Sequence, residues 1–218
     1  TLAGLKPGEH QPYLTNSAVL LAPLAGRAPG SVAPGDLIAA RYDKIGLLPF
    51  GEFMPLQGLI PQLRQWIRGG GTFTPGTKPA SFDVAGMKLA AGICYEAILP
   101  AMTLKALRPE DQVLLNLTND AWFGEGDERH QHWTLAVWRT IENRVWLLRA
   151  TNTGRTSVID PAGRETARAP ESQKHVLFAQ VRAADMGSLF RSFGRWFDWL
   201  CLAALALGML ETWRRKRT

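Results

Sequence analysis

The chain has 218 residues, 46% apolar and 20% charged, with 21 glycines, 14 prolines and two cysteines. That length builds one sizeable core, or one domain with an appendage, and the composition excludes a disordered chain. Two cysteines exclude a disulfide framework, and the location of the net charge of +6 speaks against a nucleic-acid surface. From position 191 onward, six basic residues (Arg191, Arg195, Arg214, Arg215, Lys216, Arg217) face two acids (Asp198, Glu211), so +4 sits in the tail. The nearly neutral remainder has no basic stripe interleaved with aromatics to track phosphates.

In chain order, residues 1 to about 16 are polar, with neither a signal-peptide pattern nor an initiator Met. "SAVLLAP" and "DLIAARYDK" read as strands around a Pro/Gly-rich turn. "PLQGLIPQLRQWI" has helical spacing interrupted by Pro61, and "RGGGTFTPGTKP" is a loop. "SFDVAGMKLAAGICY" reads as a hairpin leading to Cys94, and "EAILPAMTLKAL" as helical despite Pro100. "DQVLLNLTND" is a strand with a polar end, followed by the long amphipathic helix "DERHQHWTLAVWRTIENRVW". His130 and His132 read as its solvated start, since an i,i+2 pair shares no helix face on which to hold a metal. "LLRATNTGRTSVIDPAGRE" gives two strands and a "DPAG" turn, and "HVLFAQV" a last strand. Alternating strands and helices predict an α/β or α+β fold.

The tail, "WFDWLCLAALALGMLETWRRKRT", predicts a membrane span. Trp199 to Leu210 is unbroken apolar sequence. Trp196 to Trp213 is 18 residues, roughly 27 Å of helix against a hydrocarbon core of about 30 Å. Tryptophans stand at both ends, and "RRKR" predicts a cytoplasmic C-terminus. Cys201, inside the span, is a packing residue.

Cys94 ends an apolar, strand-like run in "LAAGICYEAILP". A lone cysteine there is most often a small core residue; a reactive thiol also needs a proton acceptor and donors for an oxyanion. Polar groups do gather at strand ends. "RYDKIGLLPFGEFMPL" puts Lys44 and Glu52 on either side of a turn in which Gly51 permits a tight bend. "NLTNDAWFG" ends a strand in two asparagines, an aspartate and a tryptophan. Singly, each has a plain reading: a surface lysine, a turn carboxylate, and a helix cap at Asn119-Asp120.

"YDKIGLLPFGEFMPL", "GICYEAILP", "NLTNDAWFG" and "RTIENRVWLLRATNTGRTSVIDPAG" together, in that order, resemble the nitrilase-like domain of the apolipoprotein N-acyltransferases. The resemblance covers roughly residues 16 to 185. It implies an α/β (α+β sandwich) fold of α-β-β-α layers over residues 1–190, lacking its first strands, with residues 191–218 as a transmembrane helix and basic cytoplasmic tail. It also implies that Cys94 is the nucleophile, that Lys44 is the catalytic lysine and that Glu52 is a second glutamate of the site. Tyr95, Glu96, Asn119 and Trp122 are then substrate-binding. The implied reaction carries a phospholipid acyl chain, through a Cys94 thioester, to the α-amino group of a diacylglyceryl-modified lipoprotein. It needs no metal or other cofactor and no nucleic acid, and takes place at the bacterial inner membrane with the catalytic domain on the periplasmic side. The family's general-base glutamate precedes the lysine motif, yet the acids before Lys44 are Glu9, Asp36 and Asp43, none in that motif. The chain therefore reads as the C-terminal portion of a longer enzyme, inactive alone. The alternatives are a membrane-anchored amidase in which water resolves the thioester, and a non-catalytic binding domain or inactive fragment.

Overall fold

Near-continuous apolar runs build the centre of the molecule, as strands buried on both faces require. The computed structural model describes residues 14–23, 33–56, 59–60, 62, 71–183 and 186–216. The runs β4 (Met87–Ile93), β5 (Val113–Thr118) and β6 (Trp146–Thr151) are parallel neighbours. β3 (Ser81–Val84) adds antiparallel on one side, and β7 (Ser157–Ile159) and β8 (Glu165–Arg168) on the other, in the order β3-β4-β5-β6-β7-β8. The β3–β4 hairpin turns through Ala85 and Gly86, both left-handed (φ 54° and 81°). That matches the right-handed twist of its strands. A second, antiparallel sheet pairs β1 (Ser17–Leu21) with β2 (Ile38–Asp43).

Side chains of the large sheet alternate between two cores. Leu89, Ala91, Ile93 and Val113 meet Ala18 and Tyr42 of the small sheet. Ala90, Leu114, Leu147 and Ile159 meet Ala97 and Ala136 on the helical side. The described layers are thus small sheet, large sheet and helices. The helix expected in "PLQGLIPQLRQWI" lies largely outside the described residues.

Two departures arise inside "EAILPAMTLKAL" and the helix after it. Cys94–Ile98 is a 3-10 turn, Leu99 is extended, and α1 (Pro100–Ala106) begins at Pro100. Proline suits a first helical position, whose N–H has no partner in the helix anyway. α2 (Glu128–Asn143) buries His132, Ala136, Arg139, Thr140 and Asn143. His132, expected in solvent, is 4% exposed, while His130 is exposed as expected. Its spacing of four from Ala136 puts it on the helix's inward stripe.

The segment "HVLFAQV" forms no strand, and Val176 and Phe178 are 71% and 88% exposed. Strand propensity needs a neighbour to pair with, and none of the described strands pairs with this segment. The tail gives a short helix α3 (Leu189–Phe193) and a longer one, α4 (Trp196–Arg215), with no buried residue. Among the described residues, no helix is long and apolar enough to cross a membrane. Asp198 and Glu211 lie within α4 and cut its acid-free stretch to the 12 residues Trp199–Leu210, about 18 Å.

Candidate functional site

The site forms where the two sheets part, at the C-terminal ends of the parallel strands. β4 runs straight into Cys94, which is left-handed (φ 52°). A side chain in that region carries a steric cost of about 1–2 kcal/mol, and such costs persist where the surroundings impose them. Cys94 is partly exposed and lines a cleft of about 730 Å³ with Lys44, Glu52, Asn119 and Trp122.

Lys44 follows β2 and is 1% exposed, with its Nζ 2.6 Å from Glu52 Oε2. The surface-lysine reading is thereby excluded. Its backbone is pinned on both sides: Lys44 N donates to Asn16 O (2.8 Å), and its carbonyl accepts from Gly76 N (2.7 Å). A Cβ at Gly76 would stand 2.0 Å from Asp43 O, so only glycine allows that approach. Glu52 also accepts from Asn16 Nδ2 (2.9 Å) and Leu48 N (2.8 Å). Burial pushes its carboxyl upward, but hydrogen bonds from Lys44, Leu48 N–H and Asn16 outweigh burial and hold it below the usual glutamate range. In the "PFGEF" turn the left-handed residue is Phe50 (φ 63°), rather than the expected Gly51.

Glu96 does not line the cleft. It is 4% exposed, and its Oε1 accepts from Tyr42 Oη (2.7 Å), Ile45 N (2.9 Å) and Gly46 N (2.7 Å), while Oε2 accepts from Ile93 N (2.8 Å). Four donors fill a carboxylate's acceptor positions. Glu96 therefore ties the loop after Lys44 to the turn at Cys94. Burial, then the Glu96 charge, pushes the Tyr42 phenol far up, so it stays a donor. Tyr95 is half-buried and is not among the residues lining the cleft. Asn119 lines it, but its Oδ1 is occupied by Ala121 N (3.1 Å) and Asn152 Nδ2 (2.6 Å), a cap as its plain reading had it. Trp122 stands at the mouth, 77% exposed.

Sequence reasoning missed the buried polar residues beneath the site: Asn116, Asp120, His132 and Arg149. A signal was present, for "VLLNLT" and "WLLRAT" each interrupt a buried run with one polar residue at the same position. Among the described residues, no group of three or more His, Cys, Asp or Glu could hold a metal ion.

The carbon-nitrogen hydrolase family model matches residues 2–191. The chain is 39% identical over 211 residues to an apolipoprotein N-acyltransferase of Geobacter metallireducens, covering 97% of this chain and 38% of that protein. It is 39% identical over 158 residues to one of Methylococcus capsulatus, covering 72% and 31%. The chain thus spans about a third of the length of the curated relatives it matches. Two structures of an amidase from Nesterenkonia sp. AN1 share the fold. One has a TM-score of 0.50 at 22% identity, covering 67% of this chain and 52% of that one. The other, with acrylamide added at the amidase's active-site cysteine, has a TM-score of 0.52 at 21% identity, covering 73% and 56%. With the two-sheet, nitrilase-like core and the family match spanning most of its length, this chain belongs to the carbon-nitrogen hydrolase family.

Proposed function

We propose that this chain carries the acyl-transfer site of an apolipoprotein N-acyltransferase, with Cys94 as nucleophile. The observation that carries the reading is the cleft that holds Cys94 and the buried Lys44–Glu52 pair together, rimmed by exposed apolar side chains. Leu48, Leu117, Trp122 and Phe123 line it and are 37%, 36%, 77% and 36% exposed. Such a rim suits a lipid acyl donor better than a small amide.

In the first step Cys94 Sγ gives up its proton and bonds to an ester carbonyl of a phospholipid. The ester C–O bond breaks, and the lysophospholipid leaves as an alcohol carrying a proton. In the second, the α-amino group of a diacylglyceryl-cysteine attacks the thioester, the C–S bond breaks, and the amine's proton returns to sulfur. Lys44 faces both oxyanions with a fixed positive charge, whose value rises in a water-poor site. Among the described residues lining the cleft, Glu52 is the one carboxylate. With three donors on it and a lowered pKa, it holds Lys44 rather than takes a proton. The proton acceptor is then a carboxylate outside the described residues. Asp43 bonds Ser17 and Arg41, and neither it nor the exposed Asp36 lines the cleft; Glu9 lies outside the described residues. Tyr95 and Glu96 act through the shape of the Cys94 turn, Asn119 and Trp122 at the mouth. The setting is the bacterial inner membrane with the domain on the periplasmic side, α4 resting in lipid through its exposed leucines and tryptophans.

The test uses protein purified from membranes of cells expressing the complete gene, incubated with phospholipid and read by intact mass and peptide mapping. A hydroxylamine-sensitive acyl adduct on Cys94, absent in Cys94→Ala, is expected. An adduct that survives that change, or one on Cys201, overturns the reading. A Cys94 adduct formed from small amides and not from phospholipid establishes the amidase alternative instead.

A further inference from the structure

The cleft face of the large sheet carries the reacting groups. Its opposite face, beneath the helices, holds a buried polar chain that the two acyl-transfer steps leave unused. Gly92, Asn116 and Arg149 stand side by side across β4, β5 and β6. Asn116 is fully buried and its Nδ2 donates to the carbonyl of Cys94 (3.3 Å). Its Oδ1 accepts from Arg149 Nη1 (2.5 Å). That contact settles the amide's orientation, because a guanidinium offers only donors. Arg149 Nη2 donates to Asp120 Oδ2 (2.8 Å), and both side chains are wholly buried. His132 Nδ1 lies 2.9 Å from Asp120 Oδ1 and 3.0 Å from Arg149 Nη2, and Thr118 Oγ1 donates to Asp120 Oδ1 (3.2 Å). At Gly154 a Cβ would stand 2.1 Å from Asp120 Oδ2, so glycine makes room for that carboxylate.

An ion pair this deep is a poor device for stability alone, since apolar side chains of like volume fill such a space as well or better. Its value here is geometric and electrostatic. We propose that Asp120, Arg149 and Asn116 form a positioning relay for the nucleophile. Asp120 fixes the guanidinium, the guanidinium fixes the Asn116 amide, and the amide holds the Cys94 carbonyl, so that the left-handed turn presents the thiol to the cleft with a cation behind it. This rests on the reading of Cys94 as nucleophile. Burial depresses the Arg149 pKa, and the neighbouring Asp120 charge opposes it. The other charged groups around Cys94 are Lys44 and Glu52 across the cleft and Glu96 on its own turn.

Removing Arg149 alone strands the Asp120 charge, so the deciding variant is the pair Asp120→Asn and Arg149→Met, which removes both charges and keeps both shapes. The measured quantity is alkylation of Cys94 by iodoacetamide in the full chain, mapped by peptide mass across pH, with Cys201 as internal control. Of the two charges removed, the guanidinium is one link nearer the Cys94 turn than Asp120, and loss of the nearer cation makes a thiolate less favourable. The pair is expected to displace the Cys94 pH–rate profile to higher pH and to slow alkylation at pH 7 about tenfold, one unit of displacement. Cys201 stays as it was. Asn116→Leu is expected to slow Cys94 without displacing the profile. An unmoved profile in the pair, or an Asn116→Leu rate equal to wild type, overturns the relay. Should the pair lose its cooperative melting transition, Arg149→Lys decides, since it keeps the charge and loses the fork. A slower rate on an undisplaced profile supports the relay, and wild-type behaviour overturns it. Alkylation is read whether or not Cys94 ever carries an acyl group, so the failure of the acyl-transfer reading shows in the adduct experiment and not in this one.

Discussion

Cys94 holds a side chain on a left-handed residue, and that one torsion makes an unusual stability signature. Ordinarily glycine in place of alanine costs about 0.5–1 kcal/mol through backbone entropy. At Cys94 the left-handed region removes the steric advantage of a Cβ. Cys94→Gly is therefore expected to melt no lower than Cys94→Ala, with both unable to form the adduct; a Cys94→Gly melting point several degrees lower would show that the turn is unstrained. Glu52 gives the pH counterpart. Its folded pKa is lowered, so its contribution is fully present above the unfolded glutamate value of about 4.3 and is lost as pH falls through the folded value. Denaturant titrations from pH 7 to pH 3 should show a steeper loss of stability for wild type than for Glu52→Gln, and parallel curves would remove the ion pair from the account. Lys44 is the harsher site: Lys44→Ala leaves Glu52 half-buried with one charged partner fewer, and loss of an oxyanion donor typically costs on the order of a hundredfold in rate. Lys44→Arg is not expected to restore acylation, because a planar fork does not fit where a compact ammonium is buried. Near-wild-type acylation in either variant would refute the role.

At the scale of elements, the site is an agreement between two turns. Glu96 accepts from the turn after β2 and from the end of β4, so the lysine and the cysteine are held in one frame. Glu96→Gln keeps the shape but turns an amide NH2 toward either the Ile93 N–H or the three donors at Oε1. An unsatisfied buried donor costs about 1–3 kcal/mol. The expected outcome is a loss of that size in denaturant unfolding together with reduced acylation, and unchanged stability would mean that the clamp is dispensable. The strand ends were legible in the sequence because buried parallel strands leave largely apolar runs, as in "KLAAGI" and "VLLNLT", and the ends of those runs are where Cys94 and Asn119 lie. What lies behind them showed only as the Asn116 and Arg149 that break two such runs, not as the partners they meet. Which of two neighbouring histidines faces inward depends on the rotation of α2, and the i,i+2 argument tested only for a metal. "HVLFAQV" failed for the complementary reason, since its run of apolar, strand-prone residues states a preference and pairing needs a partner. Glu96, next to the nucleophile in sequence, was expected to touch substrate, but adjacency along a 3-10 turn sends successive side chains to different faces.

For the whole molecule, the tension is between a packed domain and an appended helix none of whose described residues is buried. The junction is firmly built: Arg191 donates to the carbonyls of Arg108 (2.5 Å), Pro109 (3.3 Å) and Asp111 (3.4 Å), and Ser188 Oγ donates to the carbonyl of Glu142. Beyond it, α4 exposes Trp199, Leu200, Leu202, Leu205, Leu207, Met209 and Leu210, each by more than half. Burying that much apolar side chain in a bilayer is favourable at about 25 cal/mol per Å², and the basic cluster at its end adds attraction to anionic headgroups. Among the described residues, none of the helix's side chains is buried against the domain. Ending the chain at Arg195 should therefore remove lipid binding while leaving the domain's melting temperature within a degree or two, since the Arg191 and Ser188 contacts stay. Flotation with vesicles containing anionic phospholipid checks the first half and thermal unfolding the second. The full chain is expected to float and the shortened one to stay at the bottom of the gradient. Flotation of the shortened chain would move the lipid contact to the apolar rim of the cleft, and a fall of many degrees in melting temperature would show that α4 belongs to the domain's core after all.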